Sequence, residues 1–328
     1  MTSFLKTKVK DKFPDLNRHK LKDYIGKWIL SAFRLVFLIS ISYIILYPLF
    51  AMFSFSIMSK SDIMDTSVTW ITKSPTFENF KIAWEALDYP TSLLNTLLIG
   101  GISALLEIFS CAVAAYGFSR FQFKGRGLLF ALVLFTAIVP VQILVIPLFL
   151  NFRYFDVLGI IGLINTITQN PDPVYLDLID TPFTFWLPSL FGVGLRSGLF
   201  IFIYRQFFMG LPKELEEASW IDGCGPFMTF VRVVIPSSGV VFLTVSIFAI
   251  IWHWNEYYQS VIFFTNTFPL SVRLSNALTI FETLGYRNEG APPLVSAACL
   301  LFILPVLIMY LFMQKKFIQS IDRVGIVG

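Results

Sequence analysis

The sequence predicts an all-α membrane protein with six transmembrane helices. It is 56% hydrophobic and only 14% charged, with a mean hydropathy of +0.72. Apolar segments long enough to cross a bilayer recur along it, and lysine and arginine gather in alternate connections. Soluble domains average about 25% charged residues, and disordered chains have low hydrophobicity. The composition therefore excludes a soluble enzyme and a disordered chain.

The predicted spans follow from segment length. A helix needs about 20 largely apolar residues to cross the hydrocarbon core, and the segments that qualify lie near 30–55, 93–117, 128–150, 184–207, 238–263 and 293–313. They define a transmembrane domain at 30–313, with a basic N-tail at 1–29, a large inner loop at 208–236 and a C-tail at 314–328. The first apolar run is too long for a signal peptide and lacks a clear cleavage site, so we interpret it as an uncleaved helix.

The distribution of positive charge predicts the orientation. The N-tail, the loops near 118–127 and 205–236 and the C-tail together carry 17 lysines and arginines, whereas the opposite side carries six. Because positive charge concentrates in cytoplasmic segments, we expect a multi-pass protein with both termini in the cytoplasm.

Several predicted spans contain proline, which removes a backbone donor. A membrane helix tolerates this where neighbouring helices or a water-filled cavity satisfy the freed carbonyl. The prolines therefore indicate either packing kinks or a pathway lined by opened helices, and the sequence leaves both open. They are Pro48, Pro140, Pro147, Pro188 and Pro305.

Catalytic and metal-binding motifs are missing from the sequence. Cys111, Cys224 and Cys299 are too few and too scattered for a disulfide framework or a CxxC site, and with only His19 and His253 no HExxH helix exists. There is no GxxxxGK[ST] phosphate-binding loop either. We expect a non-catalytic chain that binds no cofactor.

The inner loop contains a short segment, 211–226, with the features of a capped helix. Glu214, Glu216 and Glu217 stand near its start, where carboxylates oppose the positive end of the helix dipole, and Gly223 is placed to end it. A rigid helix of this kind between two spans is suited to docking into another protein. The alternative is a connector on the lipid surface, for which basic residues would be favoured.

The same segment resembles the signature of permease subunits of binding-protein-dependent ABC importers. That signature is Glu-Ala-Ala, three residues, Gly, nine residues, Ile-x-Leu-Pro; this chain has Glu217-Ala218-Ser219, Gly223 and Val233-x-Ile235-Pro236. Further matches resemble the carbohydrate branch, specifically the maltose-type second permease. They are Leu94-Asn95-Thr96-Leu97, Ala115 to Phe121, Arg205 to Phe208 and Trp254-Asn255-Glu256.

The resemblance implies a MetI-like permease bundle in the bacterial cell membrane, with a cytoplasmic coupling helix. It also implies partners: a second permease forming a heterodimer, two ATPase subunits that bind ATP and Mg, and an extracytoplasmic solute-binding protein. The lipid bilayer surrounds such a chain, and nucleic acid is not a partner. The expected cargo is a sugar or oligosaccharide; which sugar, and of what chain length, is not predicted.

The resemblance also assigns residues to the contact with the ATPase. Glu217 is the expected ion-pairing anchor, Ala218 and Ser219 form the close-contact face, and Gly223 makes the turn. The complete predicted coupling set is Glu216, Glu217, Ala218, Ser219, Asp222 and Gly223.

A polar and aromatic cluster in the fifth span is the candidate substrate pathway. Aromatic rings can stack on the C–H face of a sugar while amide, carboxylate and hydroxyl groups bond to its hydroxyls, and intramembrane ionisable groups point to function. The alternative is an outer aromatic belt in which Asn255 and Glu256 cap the helix or pack against the partner. The predicted residues are Trp252, Trp254, Asn255, Glu256 and Tyr257.

Two further charges lie within spans, Glu107 and Arg196. We expect them to pair with each other or with the partner subunit, and His253 to be a packed or hydrogen-bonded imidazole.

Three other functions are alternatives to a sugar importer. A permease for a non-sugar solute would carry the same docking motif, and a self-sufficient secondary transporter would show more spans or a repeat. The third alternative is a membrane enzyme.

Overall fold

The computed structural model describes residues 18–168, 175–286 and 291–325, and within these ranges the regular structure is helical, with connecting turns and loops and one isolated β-bridge. The first six helices are Arg18–Ser56 (α1), Lys60–Met64 (α2), Glu78–Ala86 (α3), Tyr89–Thr96 (α4), Ile102–Arg120 (α5) and Arg126–Ile138 (α6). The next six are Val141–Arg153 (α7), Ile160–Thr168 (α8), Phe183–Leu190 (α9), Ser197–Gly210 (α10), Glu214–Ile221 (α11) and Pro226–Thr229 (α12). The last six are Ile235–Ser237 (α13), Gly239–Trp254 (α14), Tyr258–Phe263 (α15), Leu270–Ser275 (α16), Ala277–Thr283 (α17) and Ala291–Gly325 (α18). The all-α fold class is confirmed.

The two predicted tails are only partly described. Residues 1–17 of the N-tail, 326–328 of the C-tail and 169–174 of the outer loop lie outside the described residues. Helix α1 already includes Arg18, and α18 extends to Gly325. The described helices therefore continue beyond the boundaries predicted for the first and last spans.

Three stretches within the described ranges are long and apolar enough to cross a membrane: Ile25–Ser56, Tyr89–Arg120 and Ala291–Lys315. Two pairs of helices meet the same test only together, α6 with α7 at a bend of 102° and Pro226–Ser237 with α14 at a bend of 83°. The described residues thus hold three spans, or up to five with the bent pairs, and the number six stays a prediction.

The bend between α6 and α7 has a local cause. Val139 precedes Pro140, and a residue before proline is disfavoured in the helical conformation. Val139 accordingly has ψ 124° and Pro140 has ψ 130°, so the helix ends and restarts in a new direction.

The predicted span at 184–207 is not one helix. Helices α9 and α10 are separated by residues 191–196, where Gly192 has φ +68° and Arg196 has φ +64°. A left-handed conformation costs a non-glycine residue about 1–2 kcal/mol. Non-helical backbone at membrane depth is tolerated only where it is buried in protein or lines a cavity, and residues 192–196 line a cavity.

Small residues allow α5, α10 and α14 to pack closely. Ala104, Cys111, Ala112 and Ala115 of α5 are fully buried in one cluster with aromatic side chains of α10 and the valines of α14. Such small residues let membrane helices approach each other. Helix α1, in contrast, packs along α18 and leaves its apolar window wholly exposed, so α5, α10 and α14 form the centre of the bundle.

Candidate functional site

The short helix α11 lies in the predicted cytoplasmic loop and presents two different faces. Gly223, at φ +84°, ends it as predicted: its N–H donates to Trp220 O at 3.0 Å, and Cys224 N–H donates to Ser219 O at 3.0 Å. This is a Schellman motif, which favours glycine because the closing residue is left-handed. The α11 helix therefore ends at a defined residue and is separate from α12.

The inner face of α11 is held by the permease itself. Glu216 Oε1 lies 2.5 Å from Arg120 Nε, an ion pair that is not aligned as a linear hydrogen bond, and Tyr116 donates to Glu216 Oε2 at 3.2 Å. Ser219 bonds to Thr229 at 3.0 Å. Glu216 and Ser219 are buried, so neither predicted coupling residue lies on the exposed face of α11.

The other four predicted coupling residues are exposed: Glu217, Ala218, Asp222 and Gly223. Beside them stand large apolar side chains, with Ile221 87% and Phe227 72% exposed. We call Glu217, Ala218, Ile221, Asp222 and Phe227 the coupling surface. Its acidic groups flank an apolar patch, an arrangement suited to a protein partner.

A cavity of about 420 Å³ opens among the interrupted helices. Its walls come from α6, α7, α9, α10, the end of α14, α15 and the non-helical residues 192–196, so the helix breaks line it. The polar groups on its lining belong to Thr136, Thr184, Ser189, Arg196, Ser197, Asn255, Glu256 and Gln259. Of the two interpretations of the prolines, the opened helices are the one that this arrangement favours.

Three of the five predicted pathway residues line this cavity: Trp252, Asn255 and Glu256. The Arg196 guanidinium lies 5.5 Å from the Trp252 ring centroid, within the range of a cation–π contact. Glu256 Oε1 accepts a hydrogen bond from Gln259 N–H at 2.6 Å. These groups combine an aromatic wall with a cation, a carboxyl and an amide.

The other two predicted pathway residues lie elsewhere. Trp254 is buried on a different face of α14, and its indole N–H donates to Phe302 O at 3.2 Å. It borders a smaller apolar cavity of about 170 Å³. Tyr257 is 40% exposed and does not line the larger cavity. Helical periodicity separates Trp252 from Trp254, because residues two apart point to different faces.

A buried polar cluster behind the cavity was not predicted. Glu107 Oε2 lies 2.7 Å from His253 Nε2, and Ser197 Oγ donates to Glu107 Oε1. Glu107 and Arg196 do not pair with each other, since Arg196 lies against Trp252 instead; the alternative, pairing with the partner subunit, stays a prediction. His253 is a hydrogen-bonded imidazole, as expected. Each of the three joined side chains comes from a different helix, α5, α10 or α14, so no sequence spacing could have indicated the cluster.

Asp180 joins the loop before α9 to the loop after α15. Its carboxylate accepts hydrogen bonds from Thr265, Asn266 and Thr267, at 2.7 to 3.2 Å. Burial raises the pKa of this carboxyl, but the hydrogen bonds outweigh burial and lower the pKa to about 2. The link between the two loops is thus fully formed at neutral pH.

Metal ligands do not cluster in the described part of the chain: no three His, Cys, Asp or Glu side chains come together there. The site consists of the coupling surface at one end of the bundle and a cavity among broken helices. Residues 107–323 match the family described as "Binding-protein-dependent transport system inner membrane component". The chain belongs to this family.

Curated relatives extend the match over most of the permease. It is 28% identical over 316 residues to the probable ABC transporter permease protein YurM of Bacillus subtilis, covering 95% of this chain and 92% of YurM. It is 26% identical to the diacetylchitobiose uptake system permease protein DasC of Streptomyces coelicolor, covering 87% and 92%. The melibiose/raffinose/stachyose import permease protein MelC of Bacillus subtilis is 29% identical, covering 86% and 91%.

A solved structure has the same fold. It is a bacterial ABC transporter involved in the import of the acidic polysaccharide alginate, which superposes on the permease with a TM-score of 0.69 at 22% identity. The similarity covers 89% of this chain and 98% of that one. The MetI-like permease architecture is therefore confirmed.

Proposed function

We propose that this permease is the transmembrane subunit of an ABC importer for a sugar or oligosaccharide. The observation that carries the proposal is the family match together with an exposed coupling surface that lies outside the bundle. Relatives named for diacetylchitobiose and for melibiose, raffinose and stachyose support a carbohydrate cargo. A phosphorylated cargo is the competing function, because a permease for sn-glycerol-3-phosphate is also similar.

The proposal assigns ATP and Mg to two separate ATPase subunits, and it includes a second permease and an extracytoplasmic binding protein. Both termini lie in the cytoplasm, as the distribution of lysine and arginine favours. The cavity of about 420 Å³ is within the range of small-ligand sites. Trp252 supplies an aromatic wall, while Asn255 and Glu256 offer groups that can bond to sugar hydroxyls.

The test of this function is the Glu217→Lys variant in the complete complex. Glu217 is exposed at the centre of the coupling surface, and reversing a charge at a partly desolvated interface costs about 2–5 kcal/mol. We expect ATP hydrolysis stimulated by the binding protein to fall at least about tenfold. The measurement is ATPase activity of the purified complex with diacetylchitobiose, melibiose and raffinose as probes.

Glu214→Lys is the matched control, because Glu214 is also exposed and lies at the start of the same helix. It is expected to change the stimulated activity less than about twofold. A chain that purifies alone, transports unaided and ignores both changes would contradict the proposal.

A second prediction concerns Arg196, whose left-handed conformation favours glycine. Arg196→Gly removes backbone strain but also removes the cation that lies against Trp252 in the cavity. We expect equal or higher thermal stability with about tenfold slower uptake of sugar into proteoliposomes. Arg196→Lys, which keeps the charge without the planar stacking group, should fall between the two. Normal sugar uptake by Arg196→Gly would show that Arg196 is not part of the substrate pathway.

A further inference from the structure

The coupling helix α11 cannot hold its own orientation. It has eight residues, and helices shorter than about 12 residues are marginal without tertiary contacts. Residues on both sides of it leave the helical conformation, Leu211 at ψ 137° and Gly223 at φ +84°. The direction in which α11 points therefore depends on the side chains that connect it to the bundle.

The strongest of these connections joins α11 to the end of α5. Arg120 is the last residue of α5; its Nε lies 2.5 Å from Glu216 Oε1, and its Nη2 donates to Leu211 O at 3.0 Å. Arg120 thus contacts both α11, through Glu216, and the backbone that leads into α11, through Leu211. Tyr116, one turn earlier on α5, donates to the other oxygen of Glu216 at 3.2 Å.

The connection is shielded from water. The Arg120 and Glu216 side chains are 9% and 5% exposed. The Tyr116 ring packs against Phe230, with centroids 4.9 Å apart, and against the edges of Phe121 and Phe208. Apolar side chains in place of a buried ion pair are often equally stable or more so. The Arg120–Glu216 ion pair is therefore better explained by the direction that it imposes on α11 than by a contribution to the stability of the fold.

The same helix reaches the cavity. Glu107, which contacts Ser197 and His253, lies 13 positions before Arg120 on α5. At 1.5 Å per residue that separation is about 20 Å, and α5 is uninterrupted between the two residues. A displacement of α11 would move the Arg120 end of α5. The Glu107 end of the same helix would move with it, and its contacts with Ser197 and His253 would pass the movement to α10 and α14.

We propose that Arg120 and Glu216 are positioning residues that transmit the movement of the coupling helix to the cavity through α5. The inference rests on the proposed function, since it needs an ATPase that moves α11. It differs from docking, because both side chains face the bundle and neither belongs to the coupling surface. Tyr116 fixes the second carboxylate oxygen and so sets the orientation of Glu216.

The experiment uses the complete complex with its ATPase and partner permease in lipid nanodiscs. Asn255→Cys places a reporter thiol on the cavity lining, in a chain whose Cys224 and Cys299 are replaced by serine. The probe is a membrane-impermeant maleimide, and the readout is the ratio of labelling rates with and without ATP and vanadate. A purely structural role would change both rates equally and leave this ratio unmoved.

We expect the reference complex to show a ratio that differs from one by at least about threefold. Arg120→Glu and Glu216→Arg should bring the ratio to about one while the ATPase still co-purifies. The exchanged double variant, Arg120→Glu with Glu216→Arg, should restore most of the ratio. Glu216→Gln, which keeps the size and a hydrogen-bonding group but loses the charge, decides the matter if either reversal fails to accumulate in the membrane.

The outcomes separate this inference from the proposed function. If ATP changes labelling in the reference complex and also, by the same ratio, in Arg120→Glu and Glu216→Gln, the transmission role is overturned and the importer stands. If ATP never changes labelling in the reference complex and Glu217→Lys retains its full activity, the importer itself is overturned, and the transmission role with it.

Discussion

Replacing Glu107 by alanine is expected to lower the free energy of unfolding by about 3–5 kcal/mol, since removing one partner of a buried pair leaves the other uncompensated. Glu107 is fully buried, and it joins His253 of α14 and Ser197 of α10 to α5. His253 contacts Glu107 through Nε2, and its Nδ1 has no hydrogen-bond partner, so losing Glu107 would leave the imidazole without any hydrogen bond from its ring. A loss of this size corresponds to more than about a hundredfold in the ratio of folded to unfolded chain.

The measurement is the loss of monodisperse, fluorescently tagged complex on heating in detergent. Glu107→Gln is the matched control, because its amide can still bond to His253 and Ser197, and it should lose much less. In the double variant Glu107→Met with His253→Leu both polar groups are gone, and part of the stability should return. Equal stability of Glu107→Ala and the unaltered chain would show that the cluster does not hold the three helices together.

Composition and positional patterns were sufficient to predict the helical membrane fold and the end of the coupling helix. The Gly223 turn follows from local backbone chemistry, and the structure has it at the predicted residue. The two faces of the coupling helix α11 could also have been distinguished from the sequence, since Glu216 and Ser219 are three residues apart and so share one side of a helix. The sequence could not show that Arg120, about a hundred positions earlier in the chain, contacts that side of the helix.

The interruption of the predicted span at 184–207 shows a different limit. Hydropathy averages over a window and responds to side chains, so an apolar segment scores as a span whether or not its backbone is helical. The break depends on φ values at Gly192 and Arg196, and on Ser110 of α5, whose hydroxyl donates to Ser189 O at 2.6 Å. Tertiary contacts of this kind have no periodic signature. The cavity that they create was therefore predicted only in part, through Trp252, Asn255 and Glu256.

Replacing Gly198 by alanine should also be strongly damaging, because the added methyl group has no room. A Cβ at this position would lie 2.5 Å from Val133 O, 2.7 Å from Thr136 Oγ1 and 3.3 Å from Ala137 N. Two of these atoms are backbone, which cannot rotate away as the end of a side chain can. Helix α10 would have to move away from α6 beside the bend at Pro140, and overpacking of this kind costs about 1–3 kcal/mol or more.

Gly117→Ala is the control that isolates this steric effect. Gly117 also lies inside a helix of the bundle, but a Cβ there meets no atom within 4 Å. Alanine is favoured over glycine in a helix interior by about 1 kcal/mol, so Gly117→Ala should keep or raise the midpoint of the same heating assay, whereas Gly198→Ala should lower it. Because Gly198 lines the cavity, Gly198→Ala should also slow sugar uptake in any complex that survives purification. If both alanine variants have the same midpoint in the heating assay as the unaltered protein, α6 and α10 do not approach each other as closely as this packing requires.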